Sequence, residues 1–311
     1  MQFYRFYKSF RKVHLYRGVS SDPHSVAVAT RARVSSPLTK VVKMLDTDKR
    51  YFLSLPHRPA KPRRTGITIM IDNGLATGAF ADIVESASDV VDIVKFGWGT
   101  SIVTPQIRDK IRVLQNLGVE FFFGGTLFEK SLLQGKLDEY LEFCTTFGAH
   151  YVEVSNGTID LSDPHKSEYV ARVARDFRVI SEVGSKVAEL SEKMAPTEWV
   201  NCIKDDLDAG ATLVTLETRE SGQGGICRSN GELRYGLVEE ILTSGIDSRS
   251  LVFEAPTTVL ETYFVRRIGH NVNLANVPSR DLIGLETIRL GLRSDTLLEF
   301  EPSTYDVRIA V

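Results

Sequence analysis

The amino-acid sequence predicts an α/β protein: a single-domain (β/α)8 TIM barrel with a basic N-terminal extension. Three observations lead there. From Gly66 onward, eight short apolar, β-branched runs follow one another, most ending at Gly, Asp, Glu or Asn. Stretches with helical periodicity separate them. The first run ends Asp72-Asn73-Gly74, without the glycine-rich phosphate loop that usually follows the first strand of an open doubly wound sheet. Alternating strands and helices imply parallel strands with right-handed crossovers, and eight such units close a barrel.

In order, the strand runs are GITIMID (66–72), VDIVKFG (91–97), VEFFFGG (119–125), YVEVS (151–155), FRVISEVG (177–184), TLVTLETR (212–219), LVFEA (251–255) and VNLAN (272–276). Between them, Ile107, Ile111, Leu114 and Leu117 fall on one helical face of 106–118. Leu133, Leu137, Leu141, Cys144 and Phe147 do the same in 129–148. Gly118, Gly148, Gly210, Gly245 and Gly269 read as helix stops, since glycine takes the left-handed conformation cheaply.

Composition narrows the class. The 311 residues are 42% hydrophobic and 25% charged, with mean hydropathy −0.09, an ordinary globular profile. No apolar run reaches the roughly 18 residues of a membrane span. Cys144, Cys202 and Cys227 are too scattered for a disulfide framework or a zinc site, which points to a reducing, cytoplasmic setting. The net charge of −2 hides an asymmetry: residues 1–65 carry 15 basic and 3 acidic side chains, and the rest is strongly acidic. Residues 1–50 read as a poorly ordered basic extension, or an upstream start with the working start at Met44; the Arg- and Ser-rich, acid-poor composition also fits a targeting peptide, and a nucleic-acid arm lacks a base-reading motif. A proline-bearing linker (51–65), the barrel (66–300) and a tail (301–311) complete the expected organisation.

In a barrel, chemistry sits at the C-terminal strand ends. Those ends hold Asp72, Lys95, Glu153, Ser155, Glu182, Lys186, Glu217, Arg219, Glu220, Glu254, Asn273 and Asn276. Strand alternation lets Glu153, Glu182, Glu217 and Glu254 face one cavity. Four such carboxylates repel, and Lys95, Lys186, Arg219 or a divalent cation relieves them. Oxygen ligands select a hard ion, with Mg²⁺ the usual one beside an anionic substrate. The turns GGT (124–126) and SGQGG (221–225) offer backbone N–H groups to phosphate or sulfonate oxygens. The histidines form no convincing metal or triad pair, and Cys144 sits on a core-facing helix stripe.

Eight strings then resemble one family, the phosphosulfolactate synthases: VKFGWGTS (94–101), GGTLFE (124–129), VEVSNGTI (152–159), EVGSK (182–186), LETRESG (216–222), FEAP (253–256), VNLAN (272–276) and LETIRLGLRSDT (285–296). The segment RPAKPRRTG (58–66) looks like the bacterial branch and its plant heat-stress relatives. The resemblance implies a (β/α)8 barrel that uses Mg²⁺ to add sulfite to phosphoenolpyruvate. The product is (2R)-O-phospho-3-sulfolactate, an intermediate on the way to coenzyme M or sulfolactate. It also implies a carbon–sulfur lyase that assembles into homo-oligomers.

By the same resemblance Lys186 is the acid, and Lys95 and Arg219 meet anionic groups. Glu182 and Glu217 hold the metal, with Glu153 and Glu254 behind them. Asp72, Ser155, Ser221, Gly222 and Asn276 complete the expected substrate-binding set. Asn73 and the pair Thr257-Thr258 depart from the family pattern. They leave open a related barrel enzyme for another enol phosphate or nucleophile, and a non-catalytic stress-associated role.

Overall fold

The computed structural model describes residues 52–300. The basic extension expected over 1–50 and the tail at 301–311 lie outside the described residues. Eight parallel strands form one sheet: β1 (Thr68–Asp72), β2 (Ile93–Phe96), β3 (Glu120–Phe123), β4 (Tyr151–Val154), β5 (Arg178–Val183), β6 (Ala211–Leu216), β7 (Leu251–Glu254) and β8 (Leu274–Pro278). The ladder runs β3-β2-β1-β8-β7-β6-β5-β4, so β1 pairs with both β2 and β8. β3 and β4 lie side by side without a paired ladder, which leaves the ring nearly closed. This is the predicted (β/α)8 barrel.

The helices are α1 (Thr77–Ser86), α2 (Thr100–Val103), α3 (Ile107–Leu117), α4 (Gly125–Leu133), α5 (Leu137–Phe147), α6 (Asp163–Val173), α7 (Ala188–Lys193), α8 (Pro196–Asp208), α9 (Tyr235–Thr243), α10 (Thr258–Ile268) and α11 (Leu282–Arg289). Left-handed Gly118 and Gly148 end α3 and α5, as the sequence suggests. None of these helices is long and apolar enough to cross a membrane.

Two boundaries differ from the sequence reading. The apolar face read across 129–148 belongs to two helices, α4 and α5. Gly135 (φ 64°) turns the chain between them, and Leu133 is left 67% exposed. The last strand runs on to Pro278 instead of ending at Asn276. Thr68 faces Leu274 while Met70 faces Val277, so two steps along β1 match three along β8. That extra residue is a β-bulge, and Asn276 within it has φ 53°.

Strand alternation builds the barrel interior in layers. Ile69, Ile93, Phe122, Ile180, Leu213 and Val252 pack inside as an apolar floor. One or two pleats further along, the same sides of β2, β5 and β7 carry Lys95, Glu182 and Glu254. Each floor side chain stabilises the fold by about 2 kcal/mol through burial. A second, larger apolar layer fills the space between strands and helices.

The proline-bearing segment before β1 is docked rather than slack. Arg58 Nε donates to Glu286 (2.9 Å), and its Nη1 donates to Asn271 Oδ1 (2.6 Å). Lys61 Nζ donates to the carbonyls of Ser88 (2.8 Å) and Val91 (2.6 Å). Arg63 pairs with Asp92 (3.0 Å), whose other oxygen accepts from Thr68 N. Three of the basic residues before position 65 thus strap the start of the barrel.

Candidate active site

At the C-terminal strand ends the polar layer opens into a cavity of about 360 Å³. Lys95, from β2, stands at its centre. Its Nζ lies 2.9 Å from Glu153, 3.3 Å from Glu254 and 3.5 Å from Glu182. Lys186, just past β5, approaches from the open side: its Nζ is 2.6 Å from Glu182 and 3.6 Å from Glu217. All four glutamates are buried, while the Lys186 side chain keeps 24% exposure.

Two ammonium groups cannot balance four buried carboxylates, so burial and mutual repulsion act unequally on the four. Burial acts to raise Glu182, but Lys186 and Lys95 outweigh it and hold its carboxyl well below the usual range. Burial, then repulsion from Glu182 and Glu254, pushes Glu217 well up. Burial pushes Glu254 up to about 7 against the pull of Lys95. Burial also raises Glu153. Both lysines are shifted upward, because their carboxylate neighbours outweigh burial.

Oxygens of Glu182, Glu217 and Glu254 all lie within 4.8 Å of one another. Asn276 Oδ1, on the neighbouring strand, is buried with no hydrogen-bond partner among the described residues. A surplus of convergent hard oxygens fits a divalent cation. Burial raises both Glu217 and Glu254, so an ion bound there competes with protons. The apparent affinity for Mn²⁺ is therefore expected to rise as the pH passes through about 7, where Glu254 loses its proton, with protons released on binding. Calorimetry in two buffers of different ionisation enthalpy measures this, and a pH-independent affinity contradicts it.

A family model described as (2R)-phospho-3-sulfolactate synthase (ComA) matches residues 56–295. The chain is 50% identical over 246 residues to the phosphosulfolactate synthase of Bacillus subtilis (strain 168), covering 79% of this chain and 98% of the relative. The chain belongs to the phosphosulfolactate synthase family. It is also 38% identical to the phosphosulfolactate synthase of Methanothermobacter thermautotrophicus, over 78% of this chain and 95% of the relative. Protein HEAT-STRESS-ASSOCIATED 32 of Arabidopsis thaliana is 23% identical, over 75% of this chain and 88% of the relative.

In this member of the family, nine of the residues picked from sequence line the cavity: Lys95, Glu153, Glu182, Lys186, Glu217, Arg219, Ser221, Glu254 and Asn276. Arg219 is exposed and donates to the Lys186 carbonyl (3.3 Å). Three others are placed elsewhere. Asp72 accepts from Lys110 (2.6 Å) and from the N–H groups of Gly74 and Leu75 (2.9 and 2.8 Å). These bonds fix the turn after β1. Ser155 Oγ donates to Glu129 (2.6 Å), and the other Glu129 oxygen accepts from Thr158 N (3.1 Å). Gly222 lies in the loop after β6, outside the cavity lining.

The glycine turn SGQGG has a steric reason in this structure. Gly225 has φ 63°, and a Cβ there would stand 1.8 Å from the Glu217 carbonyl oxygen. That oxygen accepts from Ile226 N (2.9 Å), so the loop folds directly back on the end of β6. Gly225→Ala is expected to displace Glu217 and lower the thermal midpoint by about 5 °C, read by circular dichroism.

Supporting residues escaped the sequence reading. Lys166 Nζ donates to the Glu182 carbonyl (3.0 Å) and pairs with Asp206 (2.7 Å). Asp206 also accepts from Ser181 Oγ (2.5 Å). Thr218 N donates to Glu254 (2.8 Å), and Gly125 N donates to Glu153 across the unladdered β3–β4 seam. A signal existed for the buried lysines and Asp206. Each is a charged residue on an otherwise apolar helix stripe: Lys110 with Ile107, Ile111 and Leu114; Lys166 with Val170 and Val173; Asp206 with Trp199, Cys202 and Ile203.

Proposed function

We propose that the protein is a phosphosulfolactate synthase, a carbon–sulfur lyase that adds sulfite to phosphoenolpyruvate to give (2R)-O-phospho-3-sulfolactate. Lys186 carries this reading, since it is the cavity lysine that keeps access to solvent and contacts two carboxylates. Sulfite sulfur attacks the methylene carbon, and a C–S bond forms. The C=C π pair moves toward the substrate carboxylate as an enediolate. Lys186 Nζ gives a proton to the adjacent carbon and regains one from solvent. An enediolate carbon is far more basic than an amine, so even a strongly held ammonium proton transfers downhill.

Mg²⁺, held by Glu182, Glu217 and Glu254, would supply positive charge beside the carboxylate as the enediolate develops. Lys95 fixes Glu153, Glu182 and Glu254 around itself, so this part of the site needs little rearrangement when substrate arrives. Arg219 and Ser221, at the mouth, suit the outer anionic oxygens of the two substrates.

A second reading, a different enol phosphate or nucleophile, draws on one observation. Asn73 puts a neutral amide at the mouth, donating to Glu220 (2.9 Å), where the family pattern often has a lysine. One assay separates the readings. Protein with Mg²⁺, phosphoenolpyruvate and sulfite is expected to yield phosphosulfolactate by mass spectrometry and to consume phosphoenolpyruvate only when sulfite is present. No product at saturating substrates removes the first reading. Turnover with another nucleophile in place of sulfite supports the second.

A further inference from the structure

We propose that Asn276 is a further oxygen donor to the cation site, acting on the ion directly or through the ion's water shell. The inference rests on the cation reading of the cavity given above. Three independent features single out this residue. It sits in the β8 bulge, where the register against β1 slips by one residue. Its φ of 53° makes it one of two non-glycine residues with positive φ among those described, a conformation that costs an L-residue energy and is kept where surrounding structure enforces it. Its side chain lines the cavity at the strand ends at 5% exposure, and Oδ1 has no hydrogen-bond partner among the described residues.

The chemistry of that orphan atom decides its partner. Oδ1 is a pure acceptor. The basic groups of the same cavity are engaged elsewhere: Lys95 with Glu153, Glu182 and Glu254, Lys186 with Glu182 and Glu217, and Arg219 with the Lys186 carbonyl. Fully ionised phosphoenolpyruvate and sulfite bring only acceptors. A buried acceptor whose cationic neighbours are paired with other groups is satisfied by a bound cation or by water polarised on one. A neutral amide oxygen adds a ligand without adding to the repulsion among Glu182, Glu217 and Glu254.

The bulge supplies the geometry. Regular pairing would turn alternate β8 side chains away from the barrel interior, and the inserted residue re-aims this one. Asn tolerates the left-handed backbone better than most residues, which fits the choice of an amide here over a β-branched polar side chain.

The test measures Mn²⁺ binding by electron paramagnetic resonance, without substrates, so it does not depend on turnover. Asn276→Gly removes the amide while keeping the left-handed backbone without steric cost. It is expected to melt within a few degrees of the unaltered protein and to bind Mn²⁺ about tenfold more weakly. Asn276→Asp keeps an oxygen at the same place and is expected to bind at least as tightly as the unaltered protein. Equal affinity for Asn276→Gly and the unaltered protein overturns the assignment of Asn276 alone. Loss of affinity in Asn276→Asp matching that in Asn276→Gly also overturns it, because the amide nitrogen would then be the working atom. Failure of the unaltered protein to bind Mn²⁺ overturns the cation reading itself. Mn²⁺ binding that follows the expected pattern without phosphosulfolactate formation leaves this inference standing and removes the proposed reaction.

Discussion

Lys186→Met is expected to lower kcat for phosphosulfolactate formation by about 10³-fold, with a much smaller change in KM for phosphoenolpyruvate. Methionine keeps most of the length and apolar stem of lysine and removes the proton. The fold should survive, because Glu182 keeps Lys95 at 3.5 Å and burial already shifts Glu217 toward its neutral form. Single-turnover product formation followed by mass spectrometry reads the effect. A thermal melt on the same sample separates it from unfolding. Activity within tenfold of the unaltered protein would remove Lys186 as the proton donor and pass the role to another group in the cavity.

The largest effect on stability is expected from Lys166→Met. Both members of the Lys166–Asp206 pair are about 1% exposed, so the substitution leaves a buried carboxylate with only hydroxyl partners. Removing one partner of a buried ion pair typically costs about 3–5 kcal/mol. For a barrel of this size the thermal midpoint should fall by roughly 10 °C. Pairing the change with Asp206→Leu is expected to restore much of the loss, because the stranded charge is then gone. A single variant that melts with the unaltered protein would show that water reaches Asp206. Activity should fall as well, since the Glu182 carbonyl loses the Lys166 hydrogen bond that steadies the end of β5.

Much of the barrel was legible because its strands follow a two-residue period whose apolar half faces neighbours everywhere. The same period put Lys95, Glu182 and Glu254 in the cavity, each two residues beyond a floor residue on its own strand. At the strand ends it gives the side of a residue but not its partner. Ser155 stays on the side of Glu153, both converging on Gly125, yet its hydroxyl is taken up by Glu129. Asp72 was chosen for being at a strand end, yet it lies one residue after inward-facing Ile71 and so belongs to the outer face with Met70. The break between α4 and α5 was hidden because the apolar spacing continues through Gly135 in sequence but not in space. The β8 bulge was hidden for a related reason: inserting one residue shifts register without changing composition. Lys166 and Asp206 were overlooked because charge on a helix reads as surface until its place on the apolar stripe is noticed.

The strap at Arg58 sets a schedule for the molecule's synthesis. Its partners Asn271 and Glu286 lie 213 and 228 residues later in the chain, as does the strand that covers the free edge of β1. At about 5–20 residues per second, a ribosome needs roughly 10–45 s to make that stretch. Throughout that time β1 offers one unpaired edge and the guanidinium of Arg58 has no carboxylate to meet. Chains released before about residue 278 lack β8 and carry an open sheet, and those released before Glu286 also lack the carboxylate that holds Arg58. Slowing elongation late in the message should lower the soluble yield more than slowing it early, because late pauses prolong the interval in which the sheet is largest and still unsealed.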